Sequence, residues 1–379
     1  MTKTKVVHFI ETLYQGGAET LVKDYALLLD KSKFDITILC LRRTYSPYET
    51  LLKNAGIKVI FISDFFGSKK TVWGRIKNKI SNIVGLYHIK VEKILNEINP
   101  DVIHAHLAVL RYLVYALSQI SPSLFYTVHN EPQKYWHCKT RISSKEFKAC
   151  QYLVQEKKMR LISLHSAMQK ELNKLFCVDN TIVVNNGIDF SKFSKALSKE
   201  EIRKKLQISQ ESFVIGHIGR FVEQKNHRFL IETFYHVLKQ KENSTLLLIG
   251  TGPLLDEIKK QIHELKIDNH VIILSNRSDI PDLMNAMDVF AFPSLWEGLG
   301  IVLIEAQKMQ TRCVISSAVP NAAIVSNLVY RMPKNASANE WAEILLNFKV
   351  NSVQYDGLEN WDMGNVIRTL ENLYTIGKS

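Results

Sequence analysis

No run of apolar residues in this chain approaches the roughly 18 that a membrane-spanning helix needs. No Cys-x-x-Cys pair occurs among its five cysteines, Cys40, Cys138, Cys150, Cys177 and Cys313. The first absence argues against an integral membrane protein. The second, with an odd count, argues against a disulfide framework and fits a reducing compartment. A Gly-x-Gly-x-x-Gly fingerprint is missing, which counts against a nicotinamide oxidoreductase. So is an Asp-x-Asp triplet that would hold a divalent cation against a diphosphate. His129, His137, Cys138 and Cys150 crowd one region, but their spacing matches no zinc pattern. No basic run is interleaved with aromatic residues, so nucleic acid is not an expected partner. Neither a metal nor a cofactor is expected.

What is present is a globular composition: 379 residues, 46% hydrophobic and 23% charged. That is long for one core and comfortable for two domains. The first apolar run, 6–10, is interrupted by His8 and followed by Glu11. It reads as a core strand rather than a secretion signal, so a cytoplasmic location is expected. The formal net charge of +12 suits an anionic membrane surface and phosphate-bearing ligands.

Short apolar runs alternate with helical patterns, as in an α/β protein with parallel sheets. Segments 6–10, 35–41, 58–62, 102–105, 124–128, 160–163 and 181–184 read as one strand series. A second series follows at 214–218, 245–249, 270–274, 289–292 and 313–316, with helices at 228–239, 252–265, 280–287 and 299–309. Two doubly wound domains are therefore expected, 1–185 and 186–361, facing each other across a cleft, with ligands outside the carboxyl ends of the strands. Periodicity does not decide which domain takes the last helical stretch, 365–374. The segment 65–91 carries Lys69, Lys70, Arg75, Lys77, Lys79 and Lys90 and no acidic residue. Val72, Ile76, Ile80, Ile83, Val84 and Tyr87 recur there at helical spacing, the pattern of a basic amphipathic helix lying on an anionic membrane. An ordinary helix with a solvated basic face would read the same way.

Candidate site residues sit at expected strand ends. Gly16 and Gly17 follow the first strand, where glycines let backbone N–H groups approach a phosphate at a helix start. Arg220 and Lys225 follow the first strand of the second series. A guanidinium forks onto phosphate oxygens, and an ammonium adds a mobile point charge. Glu297 and Glu305 bracket a later helix start. Ionised carboxylates accept hydrogen bonds, and vicinal sugar hydroxyls offer paired donors. Gly298 and Gly300 place the helix start between them, leaving Glu297 in a loop and Glu305 inside the helix. His104 and His106 share one face of a strand, and His106, at its end, is the candidate for an acceptor-side contact.

His217-Ile218-Gly219-Arg220 with Lys225-Asn226-His227, Gly250-Thr251-Gly252-Pro253, and Pro293-Ser294-Leu295-Trp296-Glu297-Gly298 through Glu305 resemble retaining glycosyltransferase family 4. Gly16-Gly17-Ala18-Glu19 and Asn186-Gly187-Ile188-Asp189 extend the likeness over nearly the whole chain, which is most similar to bacterial enzymes of capsule and exopolysaccharide synthesis. The resemblance implies a GT-B architecture of two Rossmann-like domains, with the closing helix (362–379) crossing back to the first. It implies a nucleotide-sugar donor, UDP- or GDP-linked, with Arg220 and Lys225 on the diphosphate and Glu305 on the ribose. Glu297 would stand at the donor sugar, and Gly298, Leu299 and Gly300 beside the donor. Gly16 and Gly17 would approach from the phosphate side. His129 occupies the place of a family histidine near the reacting centre. Transfer with retention and without a metal is implied, onto a lipid-linked saccharide at the inner membrane face. A non-hydrolysing sugar-nucleotide epimerase and an inactive membrane-bound scaffold are the competing expectations. The chain departs from the family where Gln310 and Arg312 replace a glycine and a proline, and in the glycine-poor tail 318–347.

Overall fold

The strand Thr4–Ile10 (β1) is buried at every position but one. A nearly continuous apolar run of this kind suits a strand covered on both faces. In the computed structural model, which describes residues 2–14, 16–67, 85–137, 141–193 and 197–376, β1 lies inside a seven-stranded parallel sheet. Its partners are Phe34–Cys40 (β2), Lys58–Phe61 (β3), Val102–His106 (β4), Ser123–Thr127 (β5), Arg160–Ser163 (β6) and Ile182–Val183 (β7), in the order β3-β2-β1-β4-β5-β6-β7. A second parallel sheet comprises Phe213–Ile218 (β8), Ser244–Ile249 (β9), Val271–Leu274 (β10), Val289–Phe292 (β11), Arg312–Ile315 (β12) and Val329–Arg331 (β13), ordered β10-β9-β8-β11-β12-β13. Each sheet reverses its winding once, between β1 and β4 and between β8 and β11, and ligands of such sheets gather at these switch points.

Two compact units result, Met1–Gly187 with Met363–Ser379, and Ile188–Asp362. The closing helix, Met363–Ile376, belongs to the first because of one apolar stripe. Met363, Val366, Ile367, Leu370 and Tyr374 recur every three or four residues and are all buried in the core around β1 and β2. Each such side chain contributes roughly 1.5–3 kcal/mol when buried.

Strand ends agree with the sequence expectation to within two residues. Several elements do not. β13 is an additional strand; it is three residues long, with Tyr330 exposed, too short to show a period. The polar, lysine-rich stretch 191–205, for which no element was expected, contains the helix Lys199–Lys205, and the tail 318–347 contains the helix Ala338–Asn347. Both open on a capping box, Ser198 with Glu201 and Ser337 with Glu340. The helix expected from residue 252 begins at Leu255, after the Gly252-Pro253 turn, and runs to Glu264. The helix expected from residue 299 is Ile301–Lys308, because Gly300 sits at φ +89, a conformation an interior helical residue does not adopt.

Most of the basic segment 65–91, including Lys69, Lys70, Arg75, Lys77 and Lys79, lies outside the described residues. At its margins Tyr87 is buried and the Lys90 ammonium lies 3.6 Å from the centre of the Phe65 ring. No helix among the described residues is long and apolar enough to cross a membrane.

Candidate active site

In the second unit the loops that leave β8 and β11 are neighbours because these two strands pair. After β8 the chain makes a short 3-10 turn, Glu223–Lys225. Asn226 then takes a left-handed conformation, φ 55, and starts the helix His227–Gln240; asparagine tolerates that conformation better than most residues. This turn is stitched to the loop after β11. The Leu295 N–H donates to the Gln224 carbonyl at 2.8 Å, and the Gln224 amide donates to the Trp296 carbonyl at 2.9 Å and to Glu297 at 3.3 Å. The Asn226 amide donates to the Pro293 carbonyl at 3.3 Å.

That stitching brings Lys225 and Glu297 together, Nζ to Oε1 at 2.5 Å, with the Glu297 side chain only 6% exposed. The Lys225 ammonium also lies 4.7 Å from the centre of the Phe292 ring. The expectation of a mobile lysine is therefore corrected: carboxylate and aromatic face hold it in place. Gln224 had no place in the sequence reading, and nothing in its spacing marks it. Arg220 is exposed and has no ion-pair partner among the described residues. Its loop is braced from the other side by the loop after β9, through Phe221 N–H to Thr251 carbonyl at 2.8 Å and Leu254 N–H to Phe221 carbonyl at 3.1 Å. The approach is so close that a Cβ at Gly252 would fall 2.4 Å from the Phe221 carbonyl oxygen. The Gly250-Thr251-Gly252-Pro253 motif thus positions Arg220.

Glu297 is in the loop and Glu305 in the helix Ile301–Lys308. Burial pushes the Glu305 carboxyl up to about 7, and no hydrogen bond reaches it among the described residues. An acceptor without a donor fits a site for ligand hydroxyls. Gly298 and Gly300 are partly exposed, whereas Leu299 is buried, so the two glycines are the residues of this stretch open to a ligand. His217 and His227 pack behind Lys225 with ring centres 4.7 Å apart, and both are held neutral, chiefly by burial and further by neighbouring charge. Gln310, which the family resemblance sets in the place of a glycine, stands at φ 60. The backbone there keeps the left-handed turn without its customary residue.

The raised Glu305 value carries a pH consequence. The folded state holds this proton more tightly than the unfolded chain, so its contribution to stability is full below the ordinary glutamate range and is lost as pH rises through about 7. Glu305→Gln should therefore flatten the dependence of Tm on pH and raise Tm by roughly 2–4 °C in alkaline buffer. Calorimetric scans at several pH values check this.

In the first unit Gly16 caps, and Gly17 begins, the helix Gly17–Leu28. A Cβ at Gly17 would meet nothing within 4 Å, but one at Gly16 would fall 2.4 Å from the Glu19 carboxylate. Glu19 accepts from Thr12 at 3.1 Å and is raised above its ordinary pKa, mainly by burial. The positive end of this helix already faces one acid, which weakens the case for a phosphate there.

His129 lies just beyond β5 and is partly buried. Its Nε2 is 3.1 Å from His106 Nδ1, and His106 Nε2 is 3.2 Å from His8 Nδ1. His106 is fully buried, so the expected acceptor contact gives way to a contact with His129. His104, its ring tilted against that of His106 with centres 4.2 Å apart, is occupied by the Tyr374 hydroxyl at 2.6 Å and the Thr127 hydroxyl at 2.7 Å. The ligand atoms of His8, His104 and His106 lie within 4.8 Å of one another. Among the described residues they form a cluster with metal-ligand chemistry, but hydrogen bonds already engage the nitrogens of His104 and His106. The earlier candidate group around Cys138 lies partly outside the described residues, and Cys150 is a buried thiol.

The family profile Glycosyltransferase Family 4 matches residues 15–192, and the profile Glycosyl transferases group 1 matches residues 198–354. The chain is similar to UDP-Gal:alpha-D-GlcNAc-diphosphoundecaprenol alpha-1,3-galactosyltransferase of Escherichia coli, 25% identical over 86% of this chain and 82% of that protein. It is similar to the capsular polysaccharide biosynthesis glycosyltransferase CapH of Staphylococcus aureus, 23% identical over 83% and 81% of the two chains. Among solved structures, Anabaena Alr3699/HepE in complex with UDP matches with a TM-score of 0.76 and 19% identity, over 98% of this chain and 100% of that one. Matched by family profiles along most of its length and folded as two GT-B-type parallel sheets, the chain belongs to Glycosyltransferase Family 4.

Proposed function

We propose that this glycosyltransferase moves a sugar, with retention and without a metal, from a UDP- or GDP-sugar to a lipid-linked saccharide during surface polysaccharide synthesis. The observation that carries the reading is the arrangement at the β8/β11 switch point. There Arg220, on the loop that carries Lys225, and Glu305, on the helix after the loop that carries Glu297, have no side-chain partner among the described residues, while Lys225 and Glu297 form a fixed pair. Cations suit the diphosphate and carboxylates suit hydroxyls, so the set has the charge pattern of a nucleotide-sugar. The E. coli relative's name joins a UDP-sugar to a diphosphoundecaprenol acceptor, and the Anabaena structure holds UDP, both in keeping with this choice.

In the proposed reaction the bond from the anomeric carbon to the diphosphate breaks, and a bond from the acceptor oxygen forms on the same face. The acceptor proton passes to the departing phosphate oxygen. No strong enzymic base is needed. Arg220 and Lys225 stabilise the charge that builds on the leaving group, and positioning contributes much of the rest. Association with an anionic membrane through 65–91 belongs to the same proposal and brings the enzyme to its acceptor.

The test is a calorimetric screen of UDP- and GDP-sugars. Turnover is then followed on vesicles carrying a diphosphate-linked saccharide, with and without excess chelator. One donor should bind, turnover should require acceptor, persist in chelator, and give a product with the donor's anomeric configuration. Donor altered without acceptor would make it an epimerase. Binding without turnover would make it a scaffold, and loss in chelator would overturn the metal-free route.

A further inference from the structure

We infer that His8 and His106 are positioning residues that lock His129 in the tautomer with hydrogen on Nδ1, so that His129 offers a saccharide oxygen a donor and not a base. The part concerning the saccharide rests on the placement of His129 near the reacting centre; the tautomer does not.

Three rings stand in series. His8 lies on β1, His106 on the neighbouring β4, and His129 just beyond β5, linked Nδ1 to Nε2 at 3.2 Å and Nδ1 to Nε2 at 3.1 Å. His8 and His106 have no exposed surface. A neutral imidazole carries one N–H and one lone pair, so His106 donates to one neighbour and accepts from the other. Only two proton orders satisfy both contacts. In the first, His8 Nδ1–H donates to His106, His106 Nδ1–H donates to His129 Nε2, and His129 keeps its hydrogen on Nδ1. In the second every hydrogen sits on Nε2, which leaves the Nε2–H of His8 with no acceptor.

The far nitrogen of His8 decides between them. His8 Nε2 is buried without a partner. The first order leaves a bare lone pair at that point, and the second leaves an orphaned N–H. Orphaned donors are the rarer defect in protein interiors. A doubly protonated ring would escape the choice, but burial holds His8 at about 3 and His106 well below the ordinary histidine value. His104 does not branch the series, since both its nitrogens are occupied by hydroxyls.

The consequence concerns chemistry. The Nε2 lone pair of His129 is spent on His106, and its Nδ1 has no partner among the described residues. For His129 to take a proton on Nε2 as a neutral ring, both inner histidines would have to reverse, ending with the orphaned N–H on His8. The relay therefore makes His129 a poor base and a fixed donor. That suits a reaction in which the leaving phosphate, rather than a side chain, removes the acceptor proton.

The test uses the full chain with nitrogen-15-labelled histidine and two-bond proton–nitrogen correlation spectra, His129 being assigned from the signal lost in His129→Gln. Wild-type His129 should show a protonated Nδ1 and a bare Nε2. His106→Phe should return it to the Nε2–H form that free histidine favours. His106→Asn, whose amide nitrogen replaces Nδ1 as donor, should keep the Nδ1–H form. In steady-state kinetics kcat/KM should fall roughly tenfold in His106→Phe, the worth of one hydrogen bond, and recover in His106→Asn. An Nε2–H His129 in the wild type overturns the relay, and that spectrum decides even if His106→Phe does not fold. Histidine signals that change when chelator is added would make the cluster a metal site and overturn it as well. A tautomer that switches while kcat/KM stays constant keeps the relay and overturns the role toward the saccharide.

Discussion

Replacing Glu297 with alanine should lower kcat by roughly 10²–10³ and destabilise the second unit by about 3–5 kcal/mol. Two separate effects combine. The carboxylate is expected at the donor sugar, where charge develops. It is also the partner of Lys225 at 2.5 Å, on a side chain only 6% exposed. Its removal leaves a largely buried ammonium with a ring face and no counter-charge. A double variant separates the effects. Glu297→Ala with Lys225→Met should recover most of the stability, because the orphaned charge is gone, and none of the activity. Denaturant titration and steady-state kinetics on the three variants measure both. A Glu297→Ala protein as stable as its parent would show that the pair contributes nothing to the fold.

Arg220→Ala should behave in the opposite way. Arg220 is exposed and has no side-chain partner among the described residues, so its loss should change stability by no more than about 0.5 kcal/mol. Yet kcat/KM should fall roughly 10²–10³-fold, with weaker donor binding, because the guanidinium is proposed to grip the diphosphate. Arg220→Lys should restore little, since an ammonium lacks the planar fork. Donor titration with the Tm followed in parallel checks this. Unchanged kinetics would remove Arg220 from the site.

Much of this site was legible because its chemistry sits at strand ends. The runs 214–218 and 289–292 announce β8 and β11, and topology then makes their loops neighbours. What could not be read was how the side chains meet. No spacing rule says that Lys225 would face Glu297 across 72 residues, nor that Gln224 would join the two loops. His106 looked like a ligand-facing residue because it ends a strand. It is buried because β1 and β5, on either side of β4, supply His8 and His129 to cover its ring nitrogens. The helix Lys199–Lys205 was hidden by its polar composition, and Ala338–Asn347, although rich in apolar residues, spans under three turns; the Ser-x-x-Glu caps of both were in view. β13 was too brief for any periodicity to register.

The long separation of Lys225 from Glu297 also bears on when binding becomes competent. A contact spanning so much chain forms only after β8, β9, β10 and β11 have found their places in one sheet, a late step in building a parallel sheet. A partly folded intermediate would lack the joined loops and have little grip on the donor. Nucleotide-sugar would then act as a pharmacological chaperone, drawing the population toward the finished state by mass action, by about 2.7 kcal/mol at a hundred times its dissociation constant.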